Sequence, residues 1–435
     1  MSLIALGYLA IVALLVLIMI GVPIGWAMAI VAIAGEVYVG GFSIAASKIS
    51  LTLWENGTTF VFIALPLFLL MGQLAYRTGI TNDLYDCVSK WFGHLPGGIA
   101  VSAVLSNAAY GAVTGSSIAS VATLGPMVMP EFRKYRYDLG LATGTLASAG
   151  TLAVLVPPST LLVIYGVWTE TSIGDLFMAG IVPCLLLTVV YCACLAVWCA
   201  LRPDMGPPGQ RYAWPERIAS LTKLLPALAV ITVVLGGIYG GVMTPSESAA
   251  VGVIGVLFIA AAMRRLSWAA VIDSLRQTIQ TCGMVFVIVV AGIMFTRFMV
   301  HTNVTADFVA MIGGLGLSKT ALLLAMLVLY FILGTALEAL GMLILTLPFV
   351  MPLMLAAGVD KVWFGIFLCV MMELAAVSPP VGITVAVMRS VAPDVPTNVI
   401  FRGCMPFLVL TILLTFALIA WPSLALWLPQ VMKPG

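Results

Sequence analysis

Two Pro-Pro pairs interrupt long apolar segments of this chain at positions 222 residues apart. Pro157-Pro158 lies within TLAVLVPPSTLLVIYG, and Pro379-Pro380 lies within ELAAVSPPVGITVAV. Further landmarks repeat at the same offset, namely Pro23 with Pro245, Met129-Pro130 with Met351-Pro352, and Asp138 with Asp360. A single offset that relates so many landmarks indicates that the chain consists of two duplicated halves.

The composition is typical of an integral membrane protein. Hydrophobic residues make up 62% of the sequence, charged residues only 8%, and the mean hydropathy is +1.17. A soluble domain carries roughly 25% charged residues, whereas a membrane-spanning helix needs about 20 mostly apolar ones. The net charge of +2 argues against a nucleic-acid partner. We therefore predict an all-α polytopic membrane protein in contact with lipid.

Each half is predicted to contain about five full spans and one re-entrant hairpin. The full spans are expected at about 3–21, 24–41, 57–77, 136–167, 173–201, 218–239, 245–263, 281–300, 360–390 and 404–428. The hairpins are expected at 98–130 and 319–355, because each of their arms has only about 15 apolar residues and is too short to cross comfortably. A broken helix follows each hairpin, at 136–167 and 360–390. Shorter segments of mixed polarity are expected to lie along the interface, at 44–55, 81–95, 266–279 and 303–312.

An odd number of crossings per half predicts that the second half is inverted relative to the first. With the N-terminus in the periplasm, 14 of the 19 Lys and Arg residues face the cytoplasm, as the positive-inside rule requires. The chain then divides into a first repeat, 1–201, a cytoplasmic linker, 202–217, and a second, inverted repeat, 218–435. Inverted halves with broken helices are typical of secondary transporters, whose binding sites lie at the breaks.

The Pro-Pro pairs suggest a site for sodium. Proline removes a backbone donor and clashes with the preceding turn, so two in succession leave carbonyl groups without helical partners. Sodium prefers oxygen ligands, and carbonyls and hydroxyls can replace its water shell. The half-helices at each break also direct positive N-terminal dipoles toward an anionic substrate. A kink that serves packing alone is the alternative, and the symmetric placement of two pairs favours a functional site.

Polar side chains near the hairpin tips are the candidate binding residues. Thr114, Ser116 and Ser117 lie at the predicted first tip, and Glu338 falls at the position equivalent to Ser116. Glu373 precedes the second break. A carboxylate at membrane depth is costly and is a functional candidate by default, although a neutralised packing role is open for both glutamates. We predict Thr114, Glu338 and Glu373 as substrate-binding residues.

The sequence favours transport over catalysis. The two histidines, His94 and His301, lie in dissimilar contexts and do not suggest a metal pair. The segment GGLGLSKT at 313–320 has Ser318 where a phosphate loop requires glycine. The sequence also shows no nucleophile-base pair that would suggest an intramembrane enzyme. We expect a protein that is not an enzyme and has no cofactor other than sodium as a coupling ion.

Several motifs together resemble those of a known family. GSSIASVATLGPMVMPEF, GTLAVLVPPSTLLVIYG, LPFVMPLMLAAGVDKVWFG and SPPVGITVAV occur in order over nearly the whole chain. They are similar to motifs of the large membrane subunit of tripartite ATP-independent periplasmic (TRAP) transporters. The resemblance implies a sodium-driven importer with an elevator-type fold in the bacterial inner membrane. It also implies two partners, a small four-helix membrane subunit and a periplasmic binding protein that delivers an organic acid.

The resemblance also implies two sodium sites that involve backbone at the breaks. The first would use the Ser116 and Ser117 tip with Ala153, Val156 and Pro158. The second would use Gly334, Thr335, Ala375, Ser378 and Pro380. The expected substrate is a C4-dicarboxylate or a related carboxylate. A stand-alone sodium/dicarboxylate symporter of related architecture, which needs no binding protein, is the alternative function.

Overall fold

Helices account for the regular structure of the described chain. The structure is a computed structural model that describes residues 2–57, 63–335 and 337–432, and within these ranges it contains 20 α-helices and no strand. In chain order they are α1 Leu3–Met19, α2 Ile24–Gly57, α3 Ala64–Arg77, α4 Ile80–Phe92, α5 Gly98–Thr114, α6 Ser117–Lys134, α7 Leu139–Leu155, α8 Thr160–Thr169, α9 Ile173–Leu201, α10 Trp214–Leu221, α11 Leu225–Tyr239, α12 Pro245–Ala262, α13 Trp268–His301, α14 Val304–Gly313, α15 Lys319–Leu333, α16 Ala339–Ala356, α17 Lys361–Val377, α18 Ile383–Val391, α19 Thr397–Ala420 and α20 Ser423–Met432.

Many of these helices can cross a bilayer. Within the described residues, eight helical stretches are long and apolar enough to do so. They are Ile24–Glu55, Leu139–Thr169, Ile173–Leu201, Trp214–Tyr239, Pro245–Ala262, Trp268–His301, Ala339–Ala356 and Thr397–Ala420. The first helix, Leu3–Met19, is equally apolar in character but shorter. The prediction of an all-α, multi-pass membrane protein is confirmed.

One expected boundary between a span and an interfacial arm is wrong. The arm predicted at 266–279 and the span at 281–300 form one continuous helix, α13, of 34 residues. No proline interrupts that stretch, and a glycine in a helix costs only about 1 kcal/mol relative to alanine. The division predicted between the segments 24–41 and 44–55, in contrast, coincides with a break in helical geometry within α2 at Gly41, whose φ of 80° suits a residue without Cβ. The start of the span predicted at 57–77 falls partly outside the described residues.

Helical pairs and interruptions occur in matching places in the two halves. The hairpin helices α5 and α6 are joined at Gly115 and Ser116, whereas α15 ends at Leu333 and α16 begins at Ala339, directly after Glu338. The helix α7 ends before the first Pro-Pro pair and α17 ends before the second. The peptide bond within each pair is cis. Each hairpin is therefore followed by a helix that stops at a Pro-Pro pair and resumes after it.

The helix boundaries repeat at the offset seen in the sequence. Both ends of α6 and of α7 fall 222 residues before the corresponding ends of α16 and α17. The two pairs also start in the same way. Asp138 accepts a hydrogen bond from the Leu141 backbone N–H at 2.8 Å, and Asp360 accepts one from Trp363 at 2.9 Å. An aspartate N-cap satisfies an otherwise unpaired helical donor, so equivalent residues start equivalent helices.

The interrupted helices lie at the centre of the molecule. Every residue of α7 from Gly140 to Leu155 is buried, as is every residue of α17 from Trp363 to Val377. The helix α7 packs against α5, α6, α17 and α19. It crosses α19 at Gly144 and Gly403, where an added Cβ on Gly144 would overlap the Gly403 backbone. This packing places the two breaks next to the hairpin tips.

Candidate functional site

The tip of the first hairpin packs directly on the first break. Gly115 ends α5 in the left-handed region with φ of 58°, and a Cβ at this position would overlap the carbonyl oxygen of Pro158. One turn earlier, a Cβ on Gly111 would overlap the backbone of Ala153. Only glycine permits both the conformation and the close approach. Backbone atoms of the tip and of the break are thus in contact.

The second hairpin makes a related contact at a more open break. A Cβ on Gly334 would overlap the side chain of Ala375, which is the residue equivalent to Ala153. Pro379 and Pro380, however, are exposed, whereas Pro157 and Pro158 are buried. The two breaks therefore have the same local sequence pattern but different access to their surroundings in this structure.

Both tips and both broken helices line one cavity. It has a volume of about 170 Å³. Five of the predicted site residues line it, namely Ser116, Ser117, Glu338, Glu373 and Ala375. The tertiary structure thus brings together residues that are more than 200 positions apart, and it does so where the interrupted helices meet.

The other predicted site residues lie outside the cavity lining. The Thr114 hydroxyl donates to the Tyr110 carbonyl at 3.2 Å, Thr335 donates to Ile332 at 2.7 Å, and Ser378 donates to Leu374 at 2.6 Å. Each of these hydroxyls is therefore bonded within its own helical turn. The remaining five do not line the cavity either; they are Ala153, Val156, Pro158, Gly334 and Pro380.

Two carboxylates dominate the electrostatics of the cavity. Glu373 is only 2% exposed, and neither of its carboxylate oxygens has a hydrogen-bond partner within the described part of the chain. Glu338 is half-buried and precedes α16 without capping it through its side chain. The described residues that line the cavity include no Lys, Arg or His. An unpaired carboxylate in such a place requires a proton, a cation or a donor from a bound molecule.

Four helix N-termini converge on the same space. The cavity is lined by Ser117, Thr160, Ala339 and Ile383, which are the first residues of α6, α8, α16 and α18. Unpaired N–H groups and the aligned peptide dipoles give each N-terminus a partial positive charge that favours an anion. The cavity therefore combines dipoles suited to an anionic group with two acidic side chains.

A wider groove opens beside the cavity. Its volume is about 610 Å³, and it is lined by the junction of α1 and α2, by α13, and by Leu337 and Glu338. Glu338, Leu337 and Met284 belong to the walls of both spaces. Glu338 consequently lies where the cavity and the wider groove adjoin.

Some lining residues are absent from the sequence-based prediction. Thr160 begins α8 two residues after Pro158, so its position next to the first break is a signal that the sequence contains. Thr281 and Met284 reach the cavity from α13. Nothing local marks these two, because their contribution depends on how a long helix packs against the hairpins.

A multi-pass helical protein with paired hairpin tips and broken helices around one cavity belongs to the class of membrane transport proteins. Its sequence matches the family model of the tripartite ATP-independent periplasmic transporter, DctM component, over residues 11–424. The chain therefore belongs to this family, the large permeases of TRAP transporters, and its members are transporters. The resemblance drawn from the motifs is confirmed.

Relatives with named substrates support this assignment. The chain is 30% identical to the C4-dicarboxylate TRAP transporter large permease protein DctM of Pseudomonas aeruginosa, over 88% of this chain and 89% of that protein. It is 30% identical to the sialic acid TRAP transporter large permease protein SiaM of Vibrio cholerae, over 95% of this chain and 96% of that protein. It is also 30% identical to the ectoine/5-hydroxyectoine TRAP transporter large permease protein UehC of Ruegeria pomeroyi, over 84% of this chain and 85% of that protein.

Solved structures share the fold at low sequence identity. The crystal structure of the Alcanivorax borkumensis YdaH transporter matches with a TM-score of 0.63 and 16% identity, over 90% of each chain. The structure of Neisseria gonorrhoeae MtrF matches with a TM-score of 0.55 and 12% identity, over 88% of this chain and 84% of that one. These similarities concern the fold alone.

Proposed function

We propose that this chain is the large permease subunit of a TRAP transporter that imports a small organic acid, driven by sodium, across a bacterial inner membrane. The observation that carries this proposal is the single cavity lined by both hairpin tips and both broken helices. Such a cavity is the expected position of a transported solute, because irregular backbone at membrane depth is tolerated where it lines a site.

The proposed architecture is an inverted repeat with an elevator-type mobile unit. The first repeat is 1–201, with hairpin 98–130 and broken helix 136–167. The linker 202–217 is cytoplasmic, and the second repeat is 218–435, with hairpin 319–355 and broken helix 360–390. The common 222-residue offset of the boundaries of α6 and α7 with those of α16 and α17 supports this organisation.

Sodium is the proposed coupling ion at two related sites. The first is at the contact between the Ser116 and Ser117 tip and the break that includes Pro158. The second is at the contact between Gly334 and Ala375. The close backbone approach at both contacts supports the proposal, because carbonyl and hydroxyl oxygens brought together in an apolar environment can replace the water shell of a hard cation. No metal cofactor takes part.

The proposed substrate is a carboxylate of a size similar to a C4-dicarboxylate. The named relatives handle C4-dicarboxylates, sialic acid and ectoine, and each of these molecules carries a carboxylate group. Converging helix N-termini favour such a group. The substrate would reach this chain from a periplasmic binding protein, and a small four-helix membrane subunit would complete the transporter, as the word tripartite in the family description suggests.

Reconstitution into liposomes tests this function. The purified chain alone should not import free carboxylate, whereas addition of the small subunit and the loaded binding protein should produce uptake that collapses when potassium replaces sodium at constant membrane potential. Saturable sodium-driven uptake by this chain alone would favour the stand-alone symporter. Uptake by the complete system that is indifferent to sodium would overturn the proposed coupling.

A further inference from the structure

The two halves of the chain contribute different charges to the shared cavity. The residue equivalent to Ser116 in the second half is Glu338, and the residue equivalent to Thr151 is Glu373, each at the offset of 222. Ser116 and Glu338 occupy the same position, immediately before α6 and α16. Where the first half has hydroxyls, the second half has carboxylates. The cavity is therefore unsymmetrical in charge although its framework is repeated.

The first-half wall is suited to a carboxylate group. Ser117 and Thr160 begin α6 and α8 at the cavity, and Ser116 lines it beside them. The first-half residues of the lining include no acidic side chain among those described. Two helix N-termini with adjacent hydroxyl donors form a favourable environment for a single anionic group.

The second-half wall also contains the N-termini of α16 and α18, but it carries two carboxylates, and Glu338, directly before α16, offsets the positive end of that helix dipole. The two acidic side chains therefore make this wall suited to a cationic group. Glu338 and Glu373 line it, and the described residues that line the cavity with them include no Lys, Arg or His. The buried Glu373 lacks any hydrogen-bond donor within the described residues. A second carboxylate of a dianionic substrate placed at this wall would meet like charge. An ammonium or amidinium group would instead donate the hydrogen bonds that Glu373 lacks.

We propose, on the basis of the function proposed above, that the substrate is a small zwitterion: an organic acid with one carboxylate and one ammonium or amidinium group. The carboxylate lies at the N-termini of α6 and α8, and the cationic group lies against Glu338 and Glu373. A cavity of about 150 Å³ holds a molecule the size of benzene, so the volume of about 170 Å³ fits a substrate with a short carbon chain.

Matched probes distinguish a zwitterion from a dianion. 4-Aminobutyrate and succinate have the same four-carbon backbone, and so do 5-aminovalerate and glutarate with five carbons; within each pair, an ammonium replaces one carboxylate. Equilibrium binding of these four compounds is measured on the full chain in nanodiscs, in sodium and in potassium buffer. We expect each amino acid to bind at least about tenfold more tightly than its dicarboxylate partner, because hydrogen bonds to charged groups are strong.

Three variants separate the roles of the carboxylates. Glu338→Gln and Glu373→Gln keep the side-chain shape but remove the charge, and each should reduce the preference for the amino acid to less than about threefold. Glu216→Gln changes an exposed carboxylate on α10, and its preference should equal that of the unmodified chain. Thermal unfolding in the absence of probe verifies that each variant is folded. If the Glu373→Gln variant does not fold, the Glu338→Gln variant alone provides the test.

Each contrary result has a distinct meaning. Tighter binding of succinate and glutarate by the unmodified chain would overturn the zwitterion proposal while leaving carboxylate import intact. The glutamine variants could instead lose the sodium requirement for binding while keeping the preference for the amino acid over the dicarboxylate. That result would assign Glu338 and Glu373 to the coupling ion and would also overturn the zwitterion proposal. Absence of binding by all four probes in both buffers would overturn the zwitterion proposal, and uptake by the complete reconstituted system would then decide the proposed function separately.

Discussion

Ser116 shows how one residue can serve both local structure and the site. Its side-chain oxygen accepts a hydrogen bond from the Ala119 backbone N–H at 3.4 Å, a long N-cap contact at the start of α6. The same residue lines the cavity. A weakly engaged hydroxyl at a helix N-terminus has a free lone pair that can bind a cation and an O–H group that can donate to an anionic substrate. We therefore expect its substitution to affect binding more than stability.

The Ser116→Ala variant tests the proposed role in sodium binding. We expect the sodium concentration for half-maximal uptake to rise roughly fivefold, because the net contribution of one such contact is about 1 kcal/mol. Ser172→Ala is the matched control, since Ser172 caps α9 through the Asp175 N–H at 3.2 Å. This control should lose a similar amount of stability with unchanged sodium dependence. Equal sodium dependence in both variants would remove Ser116 from the site.

His94 offers a test of pH dependence outside the membrane. Desolvation and the nearby positive charges of Arg217 and Arg211 lower the pKa of His94 from its ordinary value. The unfolded chain then binds the proton more readily than the folded chain. The associated stability is present above about pH 6.5, the ordinary histidine pKa, and is lost as the pH falls through the lower folded pKa.

We expect a small decrease in the melting temperature of the purified protein between pH 7 and pH 5 that is reduced in His94→Gln. The effect is small because His94 is only partly buried. The comparison is made as the difference between the two proteins across the pH range, so that other titrating groups cancel. An identical pH profile for both proteins would show that His94 does not contribute.

At the scale of the elements, close helix crossings decide which helices form the centre. The helices α7 and α19 approach at Gly144 and Gly403, and each glycine leaves no space for a Cβ. Small residues at such crossings allow backbones to approach within a membrane. The crossing determines the position of α7, and α7 ends at the first break. A change there should therefore reach the site through the position of the break.

Gly144→Ala should lower stability by about 1–3 kcal/mol, the usual cost of overpacking. The control is Gly255→Ala on α12, where an added Cβ would meet no atom within 4 Å. There the gain in helix propensity should stabilise the protein by up to about 1 kcal/mol. Thermal unfolding in detergent measures both. A tolerated alanine at Gly144 would contradict the described crossing.

The linker between the halves shows how one element is held by another. The Gly209 N–H donates to the Gly93 carbonyl at 2.8 Å, and the Gly97 N–H donates to Gly206 at 2.9 Å. These bonds fasten the linker to the loop that precedes the first hairpin. The polar sequence of the linker predicts that it is exposed. Its backbone hydrogen-bond partners, Gly93 and Gly97, follow only from the packing of α5.

At the scale of the whole molecule, the topology is open to direct measurement. The predicted orientation places the linker in the cytoplasm and the loop between α14 and α15 in the periplasm. Gln210 and Leu315 are both exposed in the structure. In intact cells carrying a cysteine-free background, a membrane-impermeant thiol reagent should label Leu315→Cys and not Gln210→Cys. Labelling of Gln210→Cys from outside would exclude the proposed orientation.

The sequence by itself determined the membrane class, the family and the repeated landmarks. Apolar segments of bilayer length and few charges leave helices as the practical solution, because the backbone must satisfy its own hydrogen bonds in lipid. The Pro-Pro pairs mark the breaks because proline lacks the donor that a helix interior needs. Asp138 and Asp360 mark the starts of the broken helices because their side chains can cap an N-terminus.

Only the tertiary structure decided which of these residues share a site. Glu338 and Glu373 line one cavity with Ser116, whereas Thr114 is bonded within its own helix and lies outside the lining. Thr281 enters the lining from α13 without any local signal. Contacts between residues more than 100 positions apart depend on how buried helices pack, and short-range sequence patterns do not encode that packing. The sequence already pairs Ser116 with Glu338, but only the folded halves show that the two residues line the same cavity.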